Sequence, residues 1–408
     1  MVAVASSGAR ERVLVAMSGG VDSSVAAARL MAEGFDVVGV TLHLWDYPDD
    51  GSVKGRCCAP EDVHDARRVA DVLGFPHYAF DRRELFEREV VAPFVESYLA
   101  GETPSPCVRC NRGVKMRELL HLADRLGARH VATGHYVRVL QGSGGLELHR
   151  ARDLAKDQSY FLHMLSDAVL ARLVFPLGEL DKPAVRAEAL RLGLPGAAKG
   201  ESQELCFVPT GRYDELVETR AKTRVRPGPI VGPDGSVVGE HGGVHRFTVG
   251  QRRNLGVAVG SRAYVVDIDV ESGAVRLGER SELSCSEALV GELSLRDRVN
   301  LPFVSDVAVR YRGRTVRAEV VAAESAAGGG APSHAVVRFH EPIHAVVPGQ
   351  FAVFYDGDRV LGGGVIQKAF PSVSASASAS ASASASVTGA APSVSTSPSG
   401  APSAEDVS

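Results

Sequence analysis

The chain has 408 residues, a formal net charge of −4, a pI of about 6.4 and six cysteines. A balance this close to neutral excludes a protein that binds polyanions through bulk charge, so any nucleic-acid surface has to be local, in clusters such as Lys222, Arg224 and Arg226 or Arg310, Arg312, Arg314 and Arg317. Six cysteines are too few for a disulfide scaffold; with no secretory apolar segment and no run of membrane-spanning length, the expectation is a cytoplasmic chain with reduced thiols.

The first element is an apolar, β-rich run, RVLVAM at 12–17, followed by SGGVDSS and an alanine-rich amphipathic stretch. The two glycines therefore stand at a strand-to-helix turn. Gly19 and Gly20 have no Cβ to keep a polyphosphate from their N–H groups, and Ser18, Ser23 and Ser24 add hydroxyl donors at a helix N-terminus. No Lys followed by Ser or Thr makes a Walker A loop here, and no GxGxxG opens the helix. The SGGVDSS spelling resembles the pyrophosphate loop of the N-type ATP pyrophosphatases, which cleave ATP between the α and β phosphates to adenylate a substrate.

Further strands are expected at DVVGVTLHLW (36–45), HYAFD (77–81) and RHVATGHY (129–136), with helical periodicity at 60–74, 82–100 and 112–127. Alternation of this kind predicts an α/β domain with a parallel sheet, its phosphate loop at the carboxyl edge. Gly134 and His135 reach the same edge, and Leu42 is placed to pack against an adenine. Helices are expected over 157–166 and 181–193, the second with Asp181 as N-cap.

Beyond about residue 212, short β-rich runs separated by Gly, Pro and Asp take over. The expected organisation is a flexible N-terminus (1–11), an α/β catalytic domain (12–211), a small β-containing domain (212–287), a C-terminal β-barrel (288–369) and a disordered Ser/Ala-rich tail (370–408). GGGAP from Gly328 reads as a loop insertion. From Pro371 onward the chain has no aromatic residue, Lys or Arg with which to offset its ordering entropy.

The cysteines divide by context. Cys107 and Cys110 lie in TPSPCVRCN, read as a loop opening a helix near Arg112, where the helix N-terminus, Arg109 and Arg112 should favour a thiolate at Cys110. Cys206, in SQELCFV, has Glu201 and Glu204 nearby to oppose ionisation. Cys285 reads as a buried small apolar residue, and Cys57 and Cys58 either as the same or as part of a functional set. A zinc or iron–sulfur site drawing on the CxxC pair is a further reading, without the two properly spaced pairs of a closed zinc site.

In chain order the motifs are the phosphate loop, PCVRCN, ATGHY, KDQSYFL, SQELCFV, FTVGQRRNLG, RYR, PGQ and GGGVI. Together, from about Arg12 to Gln367, they resemble the bacterial tRNA-specific 2-thiouridylase family. The resemblance implies ATP held by Ala16, Met17, Ser18, Gly19, Gly20, Val21, Asp22, Ser23, Leu42 and Gly134. It implies Cys110 as nucleophile, Cys206 as carrier of a persulfide, a redox disulfide between the two, and tRNA contacts from His135, Lys156, Asp157, Gln158, Arg310, Tyr311 and Gln350.

It also implies Mg2+ with the ATP, and as partners tRNA and a sulfur-donor protein, a cysteine desulfurase or a sulfur-relay protein. No membrane partner is expected, and the chain is expected to be a monomer. Where some relatives carry Asp three residues before the nucleophile, this chain has Cys107, so a carboxylate role there does not transfer. An iron–sulfur cluster on Cys107, Cys110 and Cys206 is the alternative use of the same thiols. The competing functions are another adenylating enzyme with this loop, such as an amidotransferase-linked synthetase or a small-molecule ligase, and a nucleotide-fold RNA-binding protein without catalysis.

Overall fold

The computed structural model describes residues 10–46, 60–197, 205–208, 211–260, 262–323 and 333–372. Cys57, Cys58, Glu201, Glu204, the GGGAP stretch and the chain beyond Ser372 lie outside them.

The N-terminal sheet is built from β1 (Arg12–Ala16), β2 (Asp36–His43), β3 (His77–Asp81) and β4 (His130–Ala132). The chain then leaves it for a hairpin, β5 (Val137–Gly142) and β6 (Gly145–Arg150), and returns as β7 (Leu173–Val174). The order is β3-β2-β1-β4-β7 and every pairing is parallel. Alternation along β1 decides which core each side chain enters. Val13 and Val15 pack with Ala27, Leu30, Ala66 and Val69, while Leu14 packs with Phe86, Phe94 and Leu122. A strand buried on both faces reads as a continuous apolar run, and each such side chain contributes roughly 1.5–3 kcal/mol of burial.

Helices Val21–Ala32 (α1) and Pro60–Leu73 (α2) follow β1 and β2. The stretch 83–99 is helical in three segments, Arg83–Phe86, Glu87–Val91 and Ala92–Leu99, the middle one a π-helical turn. The cysteine helix corrects an expectation. It starts at Pro106, not near Arg112, and runs as Pro106–Cys110, a π-helical turn Asn111–Lys115 and Met116–Arg125. Pro106 sits in its first turn, where a missing N–H costs nothing, so PCVRC is the helix start and not the loop before it. The helix Lys182–Arg191 begins as expected, with the Asp181 carboxylate accepting from the Ala184 N–H at 2.8 Å.

The central region forms a four-stranded sheet, β8 (Gly228–Val231), β9 (Val237–His241), β10 (Tyr264–Asp269) and β11 (Ala274–Gly278), in the order β10-β11-β8-β9. The C-terminal strands β12 (Ser284–Leu295), β13 (Phe303–Ala308), β14 (Val316–Ala322), β15 (Ala335–His344), β16 (Phe351–Asp356) and β17 (Arg359–Pro371) pair around a closed six-stranded barrel, β12 meeting β17 to shut it. Val290, Val307, Val320, Val337, Phe354 and Ile366 belong to its buried core. Pro371, read from composition as tail, is the last residue of β17, and Ser372 still donates its N–H to the Ser284 carbonyl at 2.9 Å.

Two features weld the barrel to the α/β domain. The β5–β6 hairpin extends the barrel sheet through β6, with Arg359 opposite His149. Arg296, nearly buried, donates to the carbonyls of His163 (2.8 Å) and Leu165 (2.5 Å) and to the Asp167 carboxylate (2.9 Å). Among the described residues, no helix is long and apolar enough to cross a membrane.

Candidate active site

The phosphate loop is folded by its own side chains. Gly19 adopts φ +72°, and a Cβ there would collide with the Asp62 backbone, so only glycine fits. Ser23 Oγ donates to the Gly20 carbonyl at 3.0 Å and accepts from the Ser18 N–H at 3.2 Å; Ser24 Oγ also donates to the Gly20 carbonyl at 3.0 Å. Gly134 is needed for a related reason: its Cβ would lie 2.8 Å from the backbone of Asp22 and Ser23. Strand β4 can thus close against the loop.

Asp22 points to a residue that sequence reading left out. Its carboxylate accepts from Lys182 Nζ at 2.7 Å to each oxygen and from the Tyr136 hydroxyl at 2.8 Å. Lys182 is nearly buried and opens its helix directly after the Asp181 cap.

A cavity of about 870 Å³ opens over this loop. Of the expected nucleotide set, Ala16, Met17, Ser18, Gly20, Val21, Asp22, Ser23, Leu42 and Gly134 line it; Gly19 does not, being packed on Asp62. Leu42, with Met17 and Val40, forms an apolar wall suited to a purine. Of the expected tRNA set, His135, Lys156, Gln158, Tyr311 and Gln350 line the cavity. Asp157 and Arg310 do not. The Asp157 carboxylate accepts from the N–H groups of Ala151 (3.0 Å) and Ser159 (3.2 Å) and the Ser159 hydroxyl (2.7 Å), and burial raises its pKa. Arg310 is exposed on the barrel.

The barrel supplies one wall of the site. Gln350 Nε2 donates to the Thr103 carbonyl at 2.8 Å, Arg312 donates to the Ala155 carbonyl at 3.1 Å, and the rings of Tyr311 and Phe161 lie 4.3 Å apart.

A second cavity of about 140 Å³ holds the cysteines: Cys107, Cys110 and Cys206 all line it, with Asn111, His135, Gln158, Phe161 and Phe207. Pro106, Cys107, Lys115, His135, Gln158, Phe161 and Leu205 line both cavities, so the two adjoin. Cys206 is delivered by its neighbour: Phe207 is buried among Phe94, Phe86 and Trp45, at centroid distances of 5.0, 5.6 and 6.1 Å. Cys107, Cys110, Cys206 and Cys285 are all thiols and not half-disulfides.

Cys110 departs from the sequence expectation. Burial pushes its thiol up to about 11, opposed by the charge of Lys115. The arginines invoked to ionise it are engaged elsewhere, Arg109 with Glu292 at 3.0 Å and Arg112 beside the Met164 sulfur at 4.0 Å. Cys110 is the fifth residue of its helix, beyond the first turn, so desolvation of the thiolate dominates. His135 is likewise neutral: burial, then the Lys115 charge, lowers it to about 3, and its Nδ1 meets Thr133 Oγ1 at 2.8 Å.

Metal fit is limited. Among the described residues, no three His, Cys, Asp or Glu side chains are grouped so as to hold a metal ion, so Cys107, Cys110 and Cys206 are not assembled as an iron–sulfur site. Asp22 and Asp62 line the large cavity, and one or two carboxylates suit a magnesium ion that arrives on substrate phosphates.

Residues 11–210 match the family described as the tRNA methyl transferase HUP domain, 216–279 its PRC-barrel domain and 295–366 an aminomethyltransferase β-barrel domain. The chain is 60% identical over 371 residues to the tRNA-specific 2-thiouridylase MnmA of Sorangium cellulosum, covering 91% of this chain and 95% of that protein. It belongs to the bacterial tRNA-specific 2-thiouridylase family. A second 2-thiouridylase, from Rhodospirillum centenum, is 48% identical over 367 residues, 88% of this chain and 92% of that one.

Proposed function

We propose that this protein is a tRNA-uridine 2-sulfurtransferase that adenylates the 2-oxygen of the wobble uridine (position 34) and replaces it with sulfur, releasing AMP and pyrophosphate. The observation that carries the reading is the adjoining of two cavities, one over the phosphate loop and one lined by Cys110 and Cys206. A ring activated in the first lies beside sulfur carried in the second.

The uracil 2-oxygen is a poor leaving group. Its attack on the α-phosphate of ATP expels pyrophosphate and turns the oxygen into part of AMP; magnesium carried in with ATP would screen the phosphates. The loop N–H groups and Lys182 stand where the phosphate charge collects. Sulfur then comes from a persulfide on Cys206, loaded by a cysteine desulfurase or relay protein. Either the terminal sulfur attacks C2, AMP leaves and Cys110 attacks Cys206 Sγ to free 2-thiouridine, or Cys110 first displaces hydrosulfide, which attacks C2. Both routes end in a Cys110–Cys206 disulfide that an external dithiol reduces.

A wobble base is reachable because an anticodon loop is single-stranded and its base can be flipped into a pocket. His135, Lys156, Gln158, Tyr311 and Gln350 at the cavity, with Asp157 and Arg310 outside it, are the proposed tRNA contacts. Methyl transfer fits the site less well, because a sulfonium methyl donor needs neither a pyrophosphate loop nor two thiols in one cavity. The test is pyrophosphate release from ATP on adding unmodified tRNA, with nucleoside mass spectrometry of the product. Sulfur at uridine 34 supports thiolation, and a methyl group there with no pyrophosphate overturns it.

A further inference from the structure

A residue that lines the small cavity carries a buried polar atom without a hydrogen-bond partner among the described residues. Asn111 follows Cys110 directly, is only 4% exposed and lines the cavity with both cysteines. Its Nδ2 donates to the Phe161 carbonyl at 3.4 Å, which orients the amide, and among the described residues its Oδ1 has no hydrogen-bond partner. A buried acceptor without a donor is destabilising, so an unsatisfied one in a native site calls for a ligand that completes it.

We propose that Asn111 Oδ1 accepts the N3–H of the target uracil and is the group that selects uridine over cytidine. The inference rests on the thiolation reading above and adds the residue that reads the base. The chemistry is one-sided: uracil presents a donor at N3, whereas cytosine presents a lone pair there, which would face Oδ1 as acceptor against acceptor. A site built to receive a donor rejects an analogue that lacks it far more strongly than an apolar pocket rejects a change of shape. The contact also sets register. N3 is bonded to C2, the carbon that must receive sulfur, so a base held at N3 by Asn111 brings C2 to the cavity that Cys110 and Cys206 both line. Phe161, shared by both cavities, offers the ring a wall to stack on.

The test is a cycle between one atom of the base and one residue. Binding of tRNA carrying uridine or 3-deazauridine at position 34, the latter with C–H in place of N3–H, is measured for the wild-type enzyme and for Asn111→Leu. Wild type should prefer uridine by roughly tenfold or more, and the variant should bind both alike. ATP-analogue affinity and persulfide loading, neither of which needs Asn111, should stay unchanged in the variant and certify its fold. Should Asn111→Leu not fold, Asn111→Ser takes its place with its preference expected to shrink. Equal binding of the two tRNAs by wild type, or an undiminished preference in a folded variant, overturns the assignment. A wild-type enzyme that gives no pyrophosphate with uridine-34 tRNA sinks the thiolation reading instead.

Discussion

Lys182 Nζ lies 2.7 Å from both carboxylate oxygens of Asp22, joining the first turn of α1 to the first residue of a helix 160 positions later. The pair explains why a carboxylate is tolerated beside a polyphosphate: Lys182 cancels its charge.

Lys182→Met should therefore raise the KM for ATP and depress pyrophosphate release by at least about a hundredfold, as expected when a charge-stabilising donor is lost. Removing Lys182 leaves an Asp22 that is 33% exposed and can be hydrated, so stability should fall by only about 1–2 kcal/mol, less than for a fully buried pair. Asp22→Ala should also abolish adenylation while the fold persists. Normal pyrophosphate release by folded Lys182→Met protein would show that the lysine serves structure alone.

The buried thiol makes a pH prediction. Cys107 is exposed and should be alkylated first by iodoacetamide, with Cys110 protected in the substrate-free enzyme. Because burial holds Cys110 up to about 11, its labelling rate should climb about tenfold per pH unit through the neutral and alkaline range, levelling only near that value. The same shift has a stability sign: the folded state keeps the proton longer than the unfolded chain, so stability is lost as pH rises from 9 toward about 11. Peptide mass mapping that found Cys110 labelled as fast as Cys107 at pH 7 would contradict this.

For the sulfur relay, Cys206→Ser should lose the enzyme-bound persulfide, Cys110→Ser should accept sulfur but stall, and both should lose 2-thiouridine. Cys107→Ser should be milder. A dead Cys107 variant together with stoichiometric iron and sulfide in anaerobically purified enzyme would favour a cluster over the relay.

Arg310 is exposed on the barrel, so Arg310→Ala should weaken tRNA binding and reduce the salt slope by about one unit, the signature of one lost phosphate contact. An unchanged slope would place Arg310 off the tRNA.

A truncation must respect the barrel. Ending the chain after Ser372 keeps the pairing of Pro371 with Cys285 and the Ser372 bond to Ser284, and should leave melting temperature and thiolation unchanged. Ending it after Phe370 removes those contacts and should lower the melting temperature slightly.

Much of the α/β domain was legible because its central strands β1 and β2 are buried on both faces: Val13, Leu14 and Val15 form a run that only a central parallel strand satisfies. The SGGVDSS turn and the Asp181 cap were legible because their chemistry is local, a glycine at positive φ and a carboxylate three residues from its N–H. The β5–β6 hairpin was missed because its value lies in pairing with β17, more than two hundred residues away.

What the sequence determined by itself is therefore the set of short-range instructions: where strands turn into helices, which loop can cradle an anion, and which cysteines stand out. Tertiary structure decided the charges and the partners. It paired Asp22 with Lys182, took Arg109 and Arg112 away from Cys110, neutralised His135 and buried Asn111 Oδ1 without a partner among the described residues. Each of these depends on desolvation and on neighbours remote in the chain, and neither quantity exists until the core has closed.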